Sequence, residues 1–530
     1  MSSLSRRSPL LLAGVLAIAV LLGACSGSSD DRADPAPTTD RTKSTEPAKP
    51  TPLELRPLQV KDQRIVDDKG RQVLLRGANV NALGEYAQND PASKPTAPVT
   101  DEDWDAMAAN GFSVVRLIIS WSLLEPERGK IDKSYIQEVA KTVQAANDRG
   151  IYVVLDAHQD AWSMYSATPE GTSCPAGSEP SVGWDGAPEW ATITDGASTC
   201  MVTGSNRESA PAVQRAFANF YANTDGIADQ LTKVWAAVAE EFADVPGVAG
   251  YDLLNEPNPV EPAEANQVAY SQWAQRTIDA IRAAEKKADN AEPKLVFVEP
   301  MQSYPLPYNA LLPQYLSDPN LVFSSHNYAE SIGDILTVEQ TFNADQNGAN
   351  DLNAALWVGE YGFWDTKPET LAVATRYAAE EDRRAVGGAW WGWRQTCGDP
   401  HSVNGPGEPA TQDQVHLITR GCSADAGAAR DTDIRYTDEF LRILGRAFPR
   451  AAPGHITELV SDPASGKLQV AGADAPGGSE LVVWLPTVDG DSNLKLTRND
   501  GLKDVKLTSV DGGRILTASS TGGDWSLAVG

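Results

Sequence analysis

Eight short apolar segments alternate with amphipathic stretches of helical periodicity along residues 56–450, and this alternation restricts the possible folds more than any other feature. Apolar segments joined by helices are typical of parallel β-strands in βα units. The segments are residues 73–79, 113–119, 151–157, 248–255, 294–299, 321–326, 356–360 and 386–393. Helical periodicity is clearest in residues 134–149, 211–242, 264–286 and 367–384. We therefore predict an α/β fold, a (β/α)8 TIM barrel over residues 56–450.

A doubly wound parallel sheet is the structural alternative to the barrel. Nucleotide-binding folds of that class carry a Gly-rich turn directly after the first strand. No such turn follows residues 73–79, which favours the barrel.

Residues 451–530 lack long helical patterns and predict a small all-β sandwich. Short alternating strands are expected at residues 467–470, 480–485, 503–508, 514–517 and 525–529. We expect this domain to pack on the barrel, and binding of carbohydrate or lipid is its alternative role. A hairpin over residues 59–75 is expected to cap the floor of the barrel.

The N-terminus predicts export. Arg6 and Arg7 precede an apolar run at residues 9–24, which is short for a membrane-spanning helix. The run ends in Leu22-Gly23-Ala24-Cys25, which resembles the bacterial lipoprotein box. We predict a signal peptide over residues 1–24, a lipidated Cys25, and a disordered tether over residues 25–55. The protein is then an extracytoplasmic, membrane-anchored lipoprotein, or a secreted one if the signal is an ordinary secretory signal.

The composition narrows the possible partners. A net charge of −28 argues against nucleic-acid binding, which requires a basic face, and the sequence indicates no protein partner. The mean hydropathy of −0.33 excludes a multi-span membrane protein.

Four further cysteines in an exported chain predict two disulfides, with three connectivities open and local pairing the simplest. They are Cys174, Cys200, Cys397 and Cys422.

Polar side chains occur where the barrel strands are expected to end, at the edge where TIM barrels carry their active sites. Each could be a buried ion-pair member or a core aromatic. Together they supply two carboxylates, hydrogen-bonding groups and an aromatic platform for a sugar. The residues are Arg116, Asp156, His158, Asp160, Asn255, Glu256, Glu299, His326, Asn327, Tyr328, Glu360, Trp390, Trp391 and Trp393.

The chain resembles glycoside hydrolase family 5. The resemblance covers residues 60–450 and rests on Asn255-Glu256-Pro257 after the fourth strand and on Glu360 after the seventh. Segments 156–162 (DAHQDAW) and 76–81 (RGANVN), and the barrel-plus-sandwich layout, are similar to the endoglycoceramidases. Residues 81–86 (NALGEY) depart from the Ser-rich, Lys-containing turn of those enzymes, which leaves the glycan specificity open.

The resemblance implies a retaining β-glycoside hydrolase that cleaves the bond between glycan and ceramide. Glu256 would be the acid/base, with a raised pKa, and Glu360 the nucleophile. Arg116 and Tyr328 would bind Glu360, and Asn255 the sugar 2-hydroxyl. The remaining predicted substrate-binding residues are His158, Asp160, His326, Trp391 as the sugar platform, and Trp393 as the second choice for it.

The substrate and the role of one insertion remain open. The substrate could be a soluble glycan cleaved by a β-glucosidase, endo-β-glucanase or mannanase, and the protein could be a non-catalytic, glycan-binding surface lipoprotein. Residues 161–211 either shape the aglycone channel or form a lid packed on its own aromatic side chains.

No metal or cofactor is expected, and the acidic run at residues 101–105 is expected to begin a helix rather than bind calcium.

Overall fold

The fold is taken from a computed structural model. It describes residues 53–84, 99–288, 292–302, 304–306, 312–332, 335–395, 417–422, 429–488 and 495–530. Among these residues, no helix has both the length and the apolar character needed to cross a bilayer. The predicted signal peptide and Cys25 lie outside the described residues, as does most of the predicted tether.

The predicted barrel is confirmed: eight parallel strands form a closed sheet, each paired with its neighbours in the chain. We number them β1–β8, and β8 closes the barrel by pairing Ala389 with Gly77 of β1. A Cβ at Gly77 would lie 1.8 Å from the carbonyl oxygen of Val114, so only glycine fits there. The strands are Gly77–Val80, Val114–Ser120, Tyr152–His158, Val248–Asp252, Leu295–Val298, Leu321–His326, Ala355–Tyr361 and Gly388–Trp390.

The four predicted helical stretches are helical, and the stretch at residues 211–242 is divided in two. Asn223, Asp225 and Gly226 adopt positive φ, which ends one helix and redirects the chain before the next. The acidic run at residues 101–105 begins a helix, with Thr100 and Asp103 forming a capping box. The helices are Asp101–Ala109, Trp121–Leu124, Lys133–Asn147, Pro211–Tyr221, Ile227–Phe242, Ala263–Glu285, Val338–Asp351, Pro368–Arg384 and Asp438–Leu444.

The C-terminal region is all-β, as predicted, and its two larger sheets enclose one apolar core. The hairpin at residues 58–73 joins one of these sheets, with Val73 opposite Ala451. The predicted boundary at residue 450 therefore falls within a strand. One sheet contains Leu58–Lys61, Arg64–Asp67, Arg71–Val73, Phe448–Pro453, Glu480–Pro486, Gly513–Ser520 and Leu502–Val510. The other contains His455–Ser461, Leu468–Ala475, Gly523–Val529 and Leu496–Asp500.

Two smaller sheets lie in loops at the carboxyl edge of the barrel. Ser178–Pro180 pairs with Cys200–Val202 in the insertion that follows β3. The predicted Cys174–Cys200 disulfide is present beside this pair, with a Cα–Cα distance of 5.8 Å. Arg394–Gln395, Ile418–Cys422 and Ala429–Tyr436 form the second small sheet. The predicted Cys397–Cys422 pair lies outside the part of the chain whose side chains are described.

Candidate active site

Glu360, near the end of β7, is held by two of its expected partners. Arg116 donates from Nη1 to Glu360 Oε1 over 2.9 Å, and the Tyr328 hydroxyl donates to Oε2 over 3.0 Å. The Tyr328 ring stacks on Trp364 at a centroid distance of 6.1 Å. Both carboxylate oxygens therefore have fixed donors, which orient the carboxylate.

Arg116, which was predicted to bind Glu360 and placed among the substrate-binding residues, is fully buried within the cluster of carboxylates. Its side chain is 0% exposed, and it binds four carboxylates, each at 2.9 Å. Burial lowers the pKa of Arg116, but the carboxylates outweigh this effect and keep that pKa well above its ordinary value. Arg116 is thus the central cation that holds the acidic residues of the strand ends together. Its partners are Asp156, Asp252, Glu299 and Glu360.

Glu256 follows β4 in a left-handed backbone conformation, with φ at 39°. Its Oε1 is 2.9 Å from Nδ1 of His326, and its Oε2 accepts from Nε2 of Gln302 over 2.9 Å. Burial alone would raise the pKa of Glu256, but the hydrogen bond and positive charge of His326 outweigh burial and lower it. The expected raised pKa of Glu256 is therefore not found, because the contact with His326 lowers that pKa instead.

His326 links the two carboxylates predicted to carry the chemistry. Its Nδ1 also lies 3.5 Å from Oε2 of Glu360. The Glu256 and Glu360 carboxylates each place an oxygen within 4.8 Å of the other. Retaining glycosidases hold their two carboxyl groups about 5–5.5 Å apart, whereas inverting enzymes hold them farther apart. The arrangement can therefore perform double displacement at one anomeric carbon.

Glu299, at the end of β5, was not among the predicted binding or catalytic residues, although Val298-Glu299-Pro300 echoes Asn255-Glu256-Pro257. It is buried beneath His326 and Glu256, and its Oε2 accepts from the Glu256 backbone N–H over 2.8 Å. Burial raises the pKa of Glu299 to about 8, against the opposing effects of His326 and Arg116. Gln302, in the same loop, is a second site residue that the sequence reasoning missed.

His158, Asp160 and Trp391 lie together on another side of the barrel mouth. The Trp391 and His158 rings stack at 5.3 Å, and Trp391 is half-buried, so part of its surface remains accessible. His158 Nδ1 lies 2.8 Å from Asp156 Oδ2, and Nε2 lies 3.3 Å from Asp160 Oδ2. Burial lowers the pKa of His158, but Asp156 and Asp160 outweigh it and raise that pKa well above its ordinary value. An imidazolium braced by two carboxylates here stacks on the expected sugar platform.

Trp393 and Asn255, both predicted to bind substrate, are buried. Trp393, the second choice for the platform, is 1% exposed and packs edge-on against Phe112 in the core, with its indole N–H directed to Asp103. Asn255 is buried, and its Oδ1 accepts from Arg116. Its Nδ2 donates to the backbone oxygen of Gln159, which leaves one amide hydrogen for a sugar hydroxyl.

A cavity of about 580 Å³ opens beside Glu256 and Glu299. Its polar end holds the carboxylates and His326, and the rest of its wall is largely apolar. The apolar lining comes from the loops after β5 and β6, whereas the insertion after β3 contributes Arg207 and Glu208. The lining apolar and aromatic residues are Pro300, Met301, Tyr304, Pro305, Leu306, Tyr328, Ala329, Ile332, Ile335 and Leu336.

The insertion after β3 packs on aromatic side chains of two neighbouring helices, Trp121–Leu124 and Pro211–Tyr221. Trp162 is buried against Phe217 and Trp121, with centroid distances of 4.9 and 6.2 Å. The Arg207 guanidinium lies 3.9 Å from the centroid of the Trp184 ring and also binds Asp160. The insertion therefore braces the side of the site that carries His158 and Asp160.

Groups that could offer metal ligands converge in three places within the described residues. In the cluster around Arg116, a guanidinium already occupies the position of a cation, because all three carboxylates bind it. In the cluster around His326, the imidazole bridges both carboxylates. The three clusters are Asp156–Asp252–Glu299, Glu256–His326–Glu360 and His158–Asp160–Asp185.

The comparison with protein families decides the family. Residues 66–396 match the family described as Cellulase (glycosyl hydrolase family 5). The chain belongs to glycosyl hydrolase family 5. The match covers β1–β8, together with the carboxylates at their ends.

Several of the similar proteins are endoglycoceramidases. Endoglycoceramidase I of Rhodococcus hoagii (strain 103S) is 30% identical over 295 residues, which are 51% of this chain and 52% of that protein. The chain thus matches about half the length of this curated relative. A crystal structure of an endogalactoceramidase is 40% identical, with a TM-score of 0.79, over 89% of this chain and 99% of that one. Endo-glycoceramidase II from Rhodococcus sp., with a cellobiose-like isofagomine, is 26% identical, with a TM-score of 0.64, over 88% and 98% of the two chains.

Proposed function

We propose that this family 5 protein is a retaining endo-β-glycosidase that cleaves the bond between the glycan and the ceramide of glycosphingolipids. The observation that carries the proposal is the Glu256–Glu360 pair, whose carboxylate oxygens approach within 4.8 Å, with Glu256 at the polar end of a largely apolar cavity. That spacing suits double displacement. The apolar wall beyond the pair suits a lipid aglycone.

The first half of the reaction forms a glycosyl-enzyme. Glu360 attacks the anomeric carbon with Oε1 and Oε2 oriented by Arg116 and Tyr328. The bond from that carbon to the ceramide oxygen breaks, and Glu256 gives its proton to this oxygen. In the second half, Glu256 takes a proton from water, which attacks the anomeric carbon and releases Glu360. Two inversions at one carbon give net retention.

The glycan and the lipid would occupy opposite sides of the carboxylate pair. Trp391 would lie under the sugar, while His158 and Asp160 bind its hydroxyls. The ceramide would follow the wall of Pro300, Met301 and residues 329–336. Ile332 and Ile335 extend this wall into solvent, since they are 69% and 59% exposed. Burial of such side chains against an acyl chain is favourable by about 25 cal/mol per Å².

Product analysis tests the proposal. The purified protein is incubated with galactosylceramide-based and glucosylceramide-based glycosphingolipids, and with soluble β-glucan and β-mannan oligosaccharides. Galactose-linked substrates come first, because the endogalactoceramidase structure is 40% identical. We expect intact glycan and free ceramide, with the β configuration retained in the first-formed product. Glu360→Gln and Glu256→Gln should each lose at least about 100-fold.

Other results would contradict the proposal in distinct ways. Hydrolysis of soluble oligosaccharides alone would identify a glucosidase, endoglucanase or mannanase. Binding of sugar without turnover of any substrate would identify a glycan-binding protein. Wild-type activity in either glutamine variant would overturn the assignment of the carboxylates.

A second part of the proposal concerns location. The segment Leu22-Gly23-Ala24-Cys25 after a basic and apolar leader supports export and lipidation of Cys25. The mature protein would then reach its substrate from a membrane-tethered position. Expression in a bacterial host with an alkyne fatty acid should label the wild type and not Cys25→Ala. Equal labelling of both, or no labelling of the wild type, would overturn this part.

A further inference from the structure

Glu299 contacts the acid/base in two ways. Its Oε2 accepts from the Glu256 backbone N–H over 2.8 Å. Its Oε1 lies 2.9 Å from Arg116 Nη2 and 3.3 Å from His326 Nε2. The other nitrogen of His326 is the one that contacts the Glu256 carboxylate. Glu299, His326 and Glu256 therefore lie next to one another in this order, and Glu299 also holds the peptide of Glu256.

We infer that Glu299 is a positioning residue for Glu256: it fixes the Glu256 peptide and, through His326, holds the proton that Glu256 delivers to the leaving group. The inference rests on the proposed function and names the source of the acid's proton. Glu299 itself touches neither the sugar nor the anomeric carbon in this scheme.

The contact between His326 and Glu256 raises the question of a proton source. The hydrogen bond and charge of the imidazole outweigh burial and lower the pKa of Glu256. Protonation of the leaving oxygen nevertheless requires a neutral Glu256. The nearest group able to supply this proton is His326, with Nδ1 at 2.9 Å from Oε1.

The transfer balances in either protonation state of the pair. If Glu299 carries the proton, Glu299 gives it to His326 Nε2 while His326 Nδ1–H passes to Glu256 Oε1. If His326 is an imidazolium beside ionised Glu299, only the second transfer occurs. Both routes end with neutral Glu256, neutral His326 protonated at Nε2, and ionised Glu299. When Glu256 later takes a proton from water, the reverse transfer restores the pair.

The surroundings of Glu299 favour retention of a proton. Burial, together with the charge of Asp252, raises the pKa of Glu299 to about 8, although Arg116 and His326 oppose this. Burial lowers the pKa of His326, but its carboxylate neighbours raise it well above its ordinary value. Both shifts favour a proton on the pair. The titratable and charged groups that face it are Arg116 on β2, Asp156 on β3, Asp252 and Glu256 on and after β4, Tyr270 on the helix Ala263–Glu285, Asp345 on the helix Val338–Asp351, and Glu360 on β7.

The peptide contact has its own role. Glu256 has φ at 39°, a conformation that non-glycine residues seldom adopt. The hydrogen bond from its N–H to Glu299 stabilises this geometry, which turns the carboxylate towards His326. Glutamine at position 299 can keep one oxygen acceptor but offers an N–H₂ group to the donors on its other side.

Leaving-group dependence distinguishes this role from a structural one. A dinitrophenyl β-glycoside departs without acid assistance, whereas a phenyl β-glycoside of the same sugar requires it. Glu299→Gln should lose about 100-fold in kcat/KM with the phenyl substrate and no more than a few-fold with the dinitrophenyl substrate. Its alkaline limb of kcat/KM should also move to lower pH, because His326 loses an adjacent negative charge and releases its proton more easily.

Glu285→Gln is the matched control. Glu285 is a buried carboxylate that likewise accepts from an arginine, Arg282, and from a backbone N–H, that of Lys294. It contacts none of the site residues described above, so its kinetics should match the wild type with both substrates. Equal losses with both substrates in Glu299→Gln, or no loss with either, would overturn the inference.

A measurement on the wild-type protein covers the case in which Glu299→Gln does not fold. The protein has five histidines, and 15N-labelled histidine reports the protonation of each ring nitrogen. His326 should remain protonated at Nδ1 up to about pH 8, and an ordinary titration near the reference value of about 6.5 would overturn the inference. If the wild type hydrolyses no glycoside, the proposed function fails while this titration still tests the proton-holding pair.

Discussion

The hydroxyl of Tyr328 lies 3.0 Å from Oε2 of Glu360, so an aromatic residue after β6 fixes the carboxylate of β7. The tyrosine ring cannot easily turn away, because it stacks on Trp364 at 6.1 Å with an interplanar angle of 18°. Glu360 therefore has one donor from a rigid aromatic stack and one from the buried Arg116. The nucleophile is oriented before any substrate arrives.

Removal of this hydroxyl should slow catalysis without harm to the fold. A hydrogen bond to a charged group is worth about 1.5–3 kcal/mol, so Tyr328→Phe should lower kcat by about 10–100-fold. Stopped-flow release of an aryl leaving group measures the effect. Tyr251→Phe is the control, since Tyr251 is buried and its hydroxyl has no hydrogen-bond partner among the described residues. Equal rates in Tyr328→Phe and the wild type would show that Arg116 alone orients Glu360.

The barrel could be predicted from the sequence because its signal is local. Each strand is a short apolar run buried on both faces, and four of the connecting stretches carry clear helical periodicity. The carboxyl ends of the strands meet at one edge, so residues far apart in the sequence could be assigned to one site, as Arg116 and Glu360 were across 244 positions.

Some details of the site depend on contacts across the barrel and could not be predicted from local sequence patterns. Trp391 and Trp393 are two residues apart, which would put both on one face of a strand, but β8 ends at Trp390 and the chain then turns. The lowered pKa of Glu256 depends on His326, 70 positions away. The apolar wall of the cavity likewise comes from loops after β5 and β6, whose sequences show no regular period.

The two tryptophans should separate a binding effect from a stability effect. Trp391 is half-buried and stacked on His158, so part of its ring remains available to a sugar. Trp391→Ala should raise KM by about 5–30-fold, because the lost contact between ring and sugar is worth about 1–2 kcal/mol. Trp393 is in the core, so Trp393→Ala should lower the free energy of unfolding by about 3–5 kcal/mol while KM at low temperature stays unchanged. Steady-state kinetics and thermal unfolding measure the two effects. A higher KM in Trp393→Ala would restore that residue as a platform.

The exposed isoleucines should matter for lipid substrates only. The double variant Ile332→Ser/Ile335→Ser removes two apolar side chains from the outer cavity wall, and full burial of such a side chain is worth about 1.5–3 kcal/mol. Because these side chains are only partly buried, their removal should lower kcat/KM on a glycosphingolipid by about 10–100-fold. The kcat/KM on aryl glycosides should be unaffected. Val460→Ser is the control, since Val460 is 55% exposed and lies on a C-terminal strand. A loss on both substrate types would argue against an aglycone role for this wall.

Asp345 should make the stability of the barrel depend on pH. It is fully buried on the helix Val338–Asp351, and burial raises its pKa to about 7, although Asn327 donates to it. Between the unfolded value of about 3.9 and about 7, the folded state holds a proton that the unfolded state releases, so stability falls as the pH rises. Asp345→Asn removes this dependence on pH. The free energy of unfolding of the variant minus that of the wild type should be about 2–4 kcal/mol more positive at pH 7.5 than at pH 4, so the variant gains relative stability as the pH rises; chemical denaturation at both pH values measures this. A constant difference between the two proteins across this range would mean that Asp345 titrates alike in both states.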